Sequence, residues 1–148
     1  MTRINLILDY IKSIGLVSTK IWIKSGSGSD PYNKKGSHQL LSCLLSRGCG
    51  PYSNIQLADI VESCGASMNC DSFEDGTLLS MKCASVDFSK LISILGWMII
   101  KPHLSDNQIH LEKELTIQSI KRQKENPFYI AFDNWRTLAY GKGAYGHD

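Results

Sequence analysis

In residues 15–26 Val17, Thr19, Ile21 and Ile23 recur at every second position, with Trp22 among them. Period two with β-branched side chains predicts a strand. The next stretch, "SGSGSDPYNKKGS" (25–37), is built of Gly, Ser, Asp and Pro and predicts a loop. The period then changes. Leu40, Leu41, Leu44 and Leu45 fall on one side of a helix that Ser37 is placed to cap, so this stripe is expected to face a core. The glycines and proline of "RGCGPYSN" (47–54) stop that helix. Asn54 is placed to cap a second helix (55–65), with Ile55, Leu57, Ile60 and Val61 as its buried side and Gly65 as its end.

Residues 66–73 and 77–85 read as two strands joined by the turn "EDG" and predict a β-hairpin. Asp87 opens a helix over 88–100 that Pro102 terminates; it is apolar on most sides, which predicts burial, and Gly96 within it suggests close packing. Ser105 opens a long helix to about residue 125, closed by "ENP", and a last helix (128–141) follows Pro127. Trp22, Trp97 and Trp135 are expected in a core or domain interface, because their rings bury large apolar areas. The order is strand, two helices, hairpin, three helices. That order predicts an α+β domain, an antiparallel sheet with helices packed on one face. The chain stops in loop-like sequence, "YGKGAYGHD", without a closing strand, which suggests a fold truncated at its C-terminus.

Composition narrows the functional classes. A chain of 148 residues with 43% apolar and 20% charged residues suits one globular domain. A net charge of +2 gives nucleic-acid binding little support, and "KRQK" (121–124) reads as a solvated helix face. Five cysteines, none in a C-x-x-C pair, argue against a zinc ribbon or redox motif; Cys43 and Cys83 lie in apolar patterns as small buried thiols. A reduced, cytoplasmic setting fits best. Asp9 and Lys12 break the N-terminal apolar stretch, which argues against a signal peptide, and no apolar run is long enough to suggest a membrane span. Thiol catalysis through Cys43 or Cys49 lacks a visible base.

The candidate chemistry centres on "GSHQLLS" (36–42). A helix carrying H-x-x-E-H sets two imidazoles on one face for zinc, and the glutamate polarises a zinc-bound water. Read with "WIKSGSGSD" (22–30), "GASMNCDSFEDGT" (65–77), "EKELTIQSI" (112–120) and "ENP" (125–127), the order and spacing resemble the insulinase/pitrilysin family of zinc metallopeptidases, the inverzincins. Asn69, Asp75 and Thr77 match the family's Asn, Asp and Thr. The resemblance runs from about residue 15, so residues 1–148 are read as the N-terminal portion of one such domain, with 1–14 poorly matched. The wording is most similar to the family's non-catalytic cyanobacterial partner subunits.

Carried over residue by residue, the resemblance implies a degenerate site. His38 matches the first zinc histidine; Leu41 stands at the catalytic-base position and Ser42 at the second histidine. The family's spacing, counted on from Ser42 or back from Pro127, puts Ser119 at the third ligand, and Glu112 matches a supporting glutamate, read here as a helix-surface carboxylate. Zinc in a peptidase needs three protein ligands and an open position. A neutral serine is a poor ligand and a leucine cannot take a proton. His38 is therefore expected as a remnant or a satisfied structural histidine, and no cofactor is expected in this chain; zinc belongs to the family and to a catalytic partner. His103, His110 and His147 have no paired ligands in the sequence.

The resemblance implies further that Ser67, Met68, Asn69, Cys70, Asp71 and Ser72 form an edge strand to which a peptide adds as another strand. The expected function is a non-catalytic subunit that pairs with an active zinc peptidase, or self-associates, and helps form the peptide-binding chamber, with neither nucleic acid nor membrane as partner. Two alternatives are an active zinc metalloendopeptidase with a non-standard ligand set and a peptide-binding or assembly module without a peptidase partner.

Overall fold

The structure is a computed structural model that describes residues 5–12, 15–141, 143, 145 and 146; His147 lies outside them. Strand β1 (Leu16–Ile23) is followed by two short 3-10 turns, helix α1 (Ser37–Leu45), the small strands β2 (Gly48–Cys49) and β3 (Tyr52–Ser53), and helix α2 (Asn54–Ser63). The hairpin β4 (Ser67–Ser72) and β5 (Thr77–Ala84) comes next, then helices α3 (Phe88–Ile100), α4 (Asp106–Gln123) and α5 (Pro127–Tyr140).

The main sheet is antiparallel in the order β1–β5–β4, with Leu16 opposite Ala84 and Ser67 opposite Lys82. Alternation along β5 sends Thr77, Leu79, Met81 and Cys83 inward. Leu91, Ile94, Leu95 and Met98 of α3 meet them, and Leu45, Cys49 and Leu57 complete the core. Ser18, Lys20 and Lys82 lie on the opposite, exposed face, so the sheet has one buried side, as an antiparallel sheet allows. The α+β architecture is the expected one.

Several local expectations change. The loop at 47–54 holds a two-stranded ladder, with Gly48 opposite Ser53 and Cys49 opposite Tyr52. The cap of α2 is Ser53 rather than Asn54: its hydroxyl accepts from the Gln56 N–H while the Gln56 side chain accepts from the Ser53 N–H, a capping box. Ile55 consequently sits in the first turn at the rim and is 72% exposed. The cap residue of α1 is Gly36, at φ 85°, while the Ser37 hydroxyl donates backwards to the Lys34 carbonyl. The inward face of α1 carries Ser42, Leu44 and Leu45, and Leu41 is turned outward.

The tryptophans are half-exposed and not core residues. Trp22 packs on Phe73, and Trp97 lies against Gly50. Trp135 belongs to a run of neighbouring rings on α5, a helix without a buried residue. The outer side of α3 is also open, with Ile99 and Ile100 exposed. Gly96 has free space around it, so close packing is not its reason. The close approaches are at Gly26 and Gly76: a Cβ on Gly26 would stand 2.1 Å from the Phe73 carbonyl oxygen, and one on Gly76 would stand 2.4 Å from the Trp22 ring. These glycines let the loop after β1 close onto the β4–β5 turn. No helix among the described residues is long and apolar enough to cross a membrane.

Candidate functional site

The loop after β1 folds over the first turn of α1 and brings three side chains together. Asp30 is buried, and its carboxylate takes the place of a helix cap. It accepts the Gly36 N–H at 2.8 Å and the His38 N–H at 3.2 Å. It also meets His38 Nδ1 at 2.5 Å. A carboxylate can only accept, so this contact places the proton on Nδ1. In that tautomer Nε2 is an acceptor, and the Ser25 hydroxyl lies 2.8 Å from it.

Burial works to raise the Asp30 pKa, but the hydrogen bonds from the His38 side chain and from the His38 and Gly36 N–H groups outweigh it, holding the carboxyl below its ordinary value. Ser25 is held in turn, because buried Thr77 donates its hydroxyl to the Ser25 carbonyl at 2.9 Å. His38 is thus a satisfied histidine with both ring nitrogens engaged.

The other positions of the zinc pattern hold no ligands. Ser42 is buried on α1 and donates to the Gln39 carbonyl at 2.8 Å. Leu41 is 38% exposed and offers no acceptor. Ser119 lies on the exposed part of α4. Glu112 differs from its expected place on the surface. It is the buried residue of α4, 4% exposed, and the guanidinium of Arg47 stands 2.6 Å from its Oε1. The contact lacks hydrogen-bond alignment, so it is an ion pair and not a directed bond. Proximity of Arg47 could not be read from a helix pattern alone, because the pair joins α4 to the turn that follows α1.

Among the described residues no three His, Cys, Asp or Glu side chains gather to hold a metal ion. The donor set itself does not fit zinc. The Nε2 lone pair is directed at a hydroxyl, the neighbouring position on α1 offers a serine that already donates to its own helix, and the third position is another serine.

The remaining sequence candidates divide clearly. Ser67–Ser72 form β4, an outer strand of the sheet; Ser67, Asn69 and Asp71 are exposed, while Met68, Cys70 and Ser72 turn toward the helical layer and are half-buried. Asp75 accepts from the Tyr145 hydroxyl at 2.5 Å. His103 contacts the Gly50 carbonyl at 2.8 Å, and His110 is exposed on α4. The five cysteines are free; Cys49 and Cys83 are buried, whereas Cys43 is only half-buried. The reading from sequence missed Ser25 and Asp30 as partners of His38. The acidic loop before a helix start was the available signal for Asp30; Ser25 carried none.

The chain is thus an α+β domain, an antiparallel sheet backed by helices with a histidine at the start of its first helix. The model of the family Insulinase (Peptidase family M16) matches residues 8–148, and the chain belongs to that family. It is similar to the mouse cytochrome b-c1 complex subunit 1, mitochondrial, with 25% identity over 81% of this chain and 25% of the relative. It is also similar to the rat mitochondrial-processing peptidase subunit beta, with 23% identity over 90% of this chain and 27% of the relative. The chain thus spans about a quarter of the length of these relatives.

Among solved structures, a peptidase M16 inactive domain from Pseudomonas fluorescens matches with a TM-score of 0.86 and 18% identity, over 93% of this chain and 34% of the other. A protease from Helicobacter pylori matches with a TM-score of 0.82 and 17% identity, over 90% and 33%. At these identities the two structures show the fold.

Proposed function

We propose that the protein is a non-catalytic insulinase-type subunit that pairs with a zinc-bearing subunit of the same family and supplies part of the wall of a peptide chamber. The observation that carries this reading is the state of His38. Its Nε2, the atom a metal would take, is turned to Ser25, while Leu41, Ser42 and Ser119 supply neither base nor ligand. The resemblance to a structure described as an inactive M16 domain supports the same reading.

In this proposal the peptide adds to β4. The strand borders the sheet, and main-chain pairing along its edge asks nothing of catalytic side chains. Ser67, Asn69 and Asp71 would flank the peptide on the open face, and Met68, Cys70 and Ser72 on the side of the helices. Buried Glu112 supports the site region by fixing α4 to the end of α1 through Arg47. Zinc would be held by the partner alone. A cytoplasmic setting suits the five free thiols.

The test is affinity capture with the tagged chain, followed by identification of the captured protein and a peptide-cleavage assay. Capture of a protein bearing an intact H-x-x-E-H helix, with chelator-sensitive cleavage that rises when this chain is added, is the expected result. Efficient recovery of the chain alone or with proteins lacking that motif would overturn the pairing.

A further inference from the structure

Ser25, His38 and Asp30 stand in the relation of nucleophile, base and orienting acid, and we propose that Ser25 is a reactive nucleophile toward activated acyl and phosphoryl compounds. The geometry has each element such a relay requires. Asp30 Oδ1 meets His38 Nδ1 at 2.5 Å, and His38 Nε2 meets Ser25 Oγ at 2.8 Å. Accessibility is graded in the useful order: the Asp30 side chain is 1% exposed, that of His38 is 20% exposed, and Ser25 faces solvent. The carboxylate is fixed by two main-chain N–H groups, so it holds the imidazole in the Nδ1–H tautomer, which leaves Nε2 to take a proton. Ser25 is anchored by Thr77, whose hydroxyl bonds its carbonyl across the sheet. This constellation is recognised by geometry and role on unrelated folds, not by sequence position. It needs neither zinc nor a partner, so it stands apart from the reading above.

With an ester the step runs as acyl transfer. Ser25 Oγ attacks the carbonyl carbon while its proton passes to His38 Nε2. The carbon–oxygen bond to the alcohol breaks, and the alcohol leaves with that proton. Water then attacks the acyl carbon and gives a proton to Nε2; the bond from that carbon to Ser25 Oγ breaks, Oγ takes the proton from Nε2, and the acid is released. A missing oxyanion donor costs about 10²–10³ in rate. The three groups are assigned without such donors, so the substrate class is activated esters rather than peptide bonds. With a phosphorofluoridate, the bond from Ser25 Oγ to phosphorus forms as the Ser25 proton passes to His38 Nε2, the phosphorus–fluorine bond breaks and fluoride leaves, and the phosphoryl adduct persists.

The purified full chain is therefore treated with diisopropyl fluorophosphate and the adduct is located by peptide mass spectrometry. The expected result is one adduct, at Ser25, formed about a hundredfold faster than at Ser27, Ser29 or Ser37 nearby in the chain. The His38→Gln variant, with its fold checked by circular dichroism, is expected to lose that advantage. Absence of the Ser25 adduct when chymotrypsin reacts under the same conditions would overturn the proposal. So would equal labelling of these four serines, a comparison that requires no variant to fold.

Discussion

Arg47, two residues beyond the end of α1, meets Glu112 of α4 at 2.6 Å, with the glutamate side chain 6% exposed and the arginine side chain 38% exposed. The pair ties α4 to the turn that follows α1. Its two halves are unequal. A guanidinium left without its partner reaches water, whereas the carboxylate does not. Arg47→Met should therefore destabilise the chain more than Glu112→Gln. The estimates are roughly 2–4 against about 1 kcal/mol, reduced from the range for fully buried pairs because the arginine is partly solvated. Urea unfolding of both variants checks the order. Equal effects would show the pair to be incidental.

Asp30 links acidity to stability. Its carboxyl lies below its ordinary value in the folded chain, so the unfolded chain binds the proton more readily. The sign follows: the contribution is fully present above the unfolded pKa and is lost as pH falls through the folded one. Stability measured by denaturant between pH 7 and pH 3 should show this acid loss, and Asp30→Asn should remove that part of it. At neutral pH the same variant leaves Nδ1 and two N–H groups with a weaker acceptor, at a loss of about 1–3 kcal/mol. An unchanged acid limb in Asp30→Asn would contradict the assignment.

Burial governs the thiols. Desolvation in the main, with the Asp71 and Cys43 charges adding to it, pushes the Cys70 thiol up to about 11. At pH 8 about one thiol in a thousand is ionised, and the thiolate is the reactive form. Iodoacetamide at pH 8 should leave Cys70 unmodified in the folded chain and label it readily in guanidinium. Rapid labelling in the folded chain would show that β4 detaches from the helices, since Cys70 faces that side.

Glycine substitutions separate packing from helix propensity. Gly26→Ala would press a methyl onto the Phe73 carbonyl oxygen and the Gly76 nitrogen, at 2.1 and 2.4 Å, so the loop that carries Ser25 and Asp30 must move. A loss of about 1–3 kcal/mol, as for overpacking, is expected, together with the loss of any Ser25 reactivity. Gly96→Ala meets nothing and should stabilise α3 by up to about 1 kcal/mol. Thermal melts of the two variants should move in opposite directions.

The succession of elements was legible in the chain because most of it depends on local period and turn chemistry. Val17 to Ile23 alternate as a strand, "EDG" turns the hairpin, and Pro127 starts the last helix. The short pairing of β2 with β3 was not legible, since two residues a side are too few to show a period. The direction of Leu41 was missed because four leucines cover more of a helix than one face, and the helix turns Ser42 inward instead. The place of His38 was readable from its spacing. Its partners were not, since the Ser25 contact exists only once the loop doubles back over α1. The burial of Glu112 depends likewise on Arg47, far away in sequence.

Zinc content separates a chain without a metal site from one that holds zinc at His38. The purified chain, dialysed with excess zinc and then against buffer, is analysed for bound metal by mass spectrometry. No stoichiometric zinc is expected, and no difference between the chain and its His38→Gln variant, because the histidine nitrogen is engaged by Ser25 and the other positions of the zinc pattern hold Leu41, Ser42 and Ser119. One zinc retained per chain, and lost in His38→Gln, would contradict that expectation.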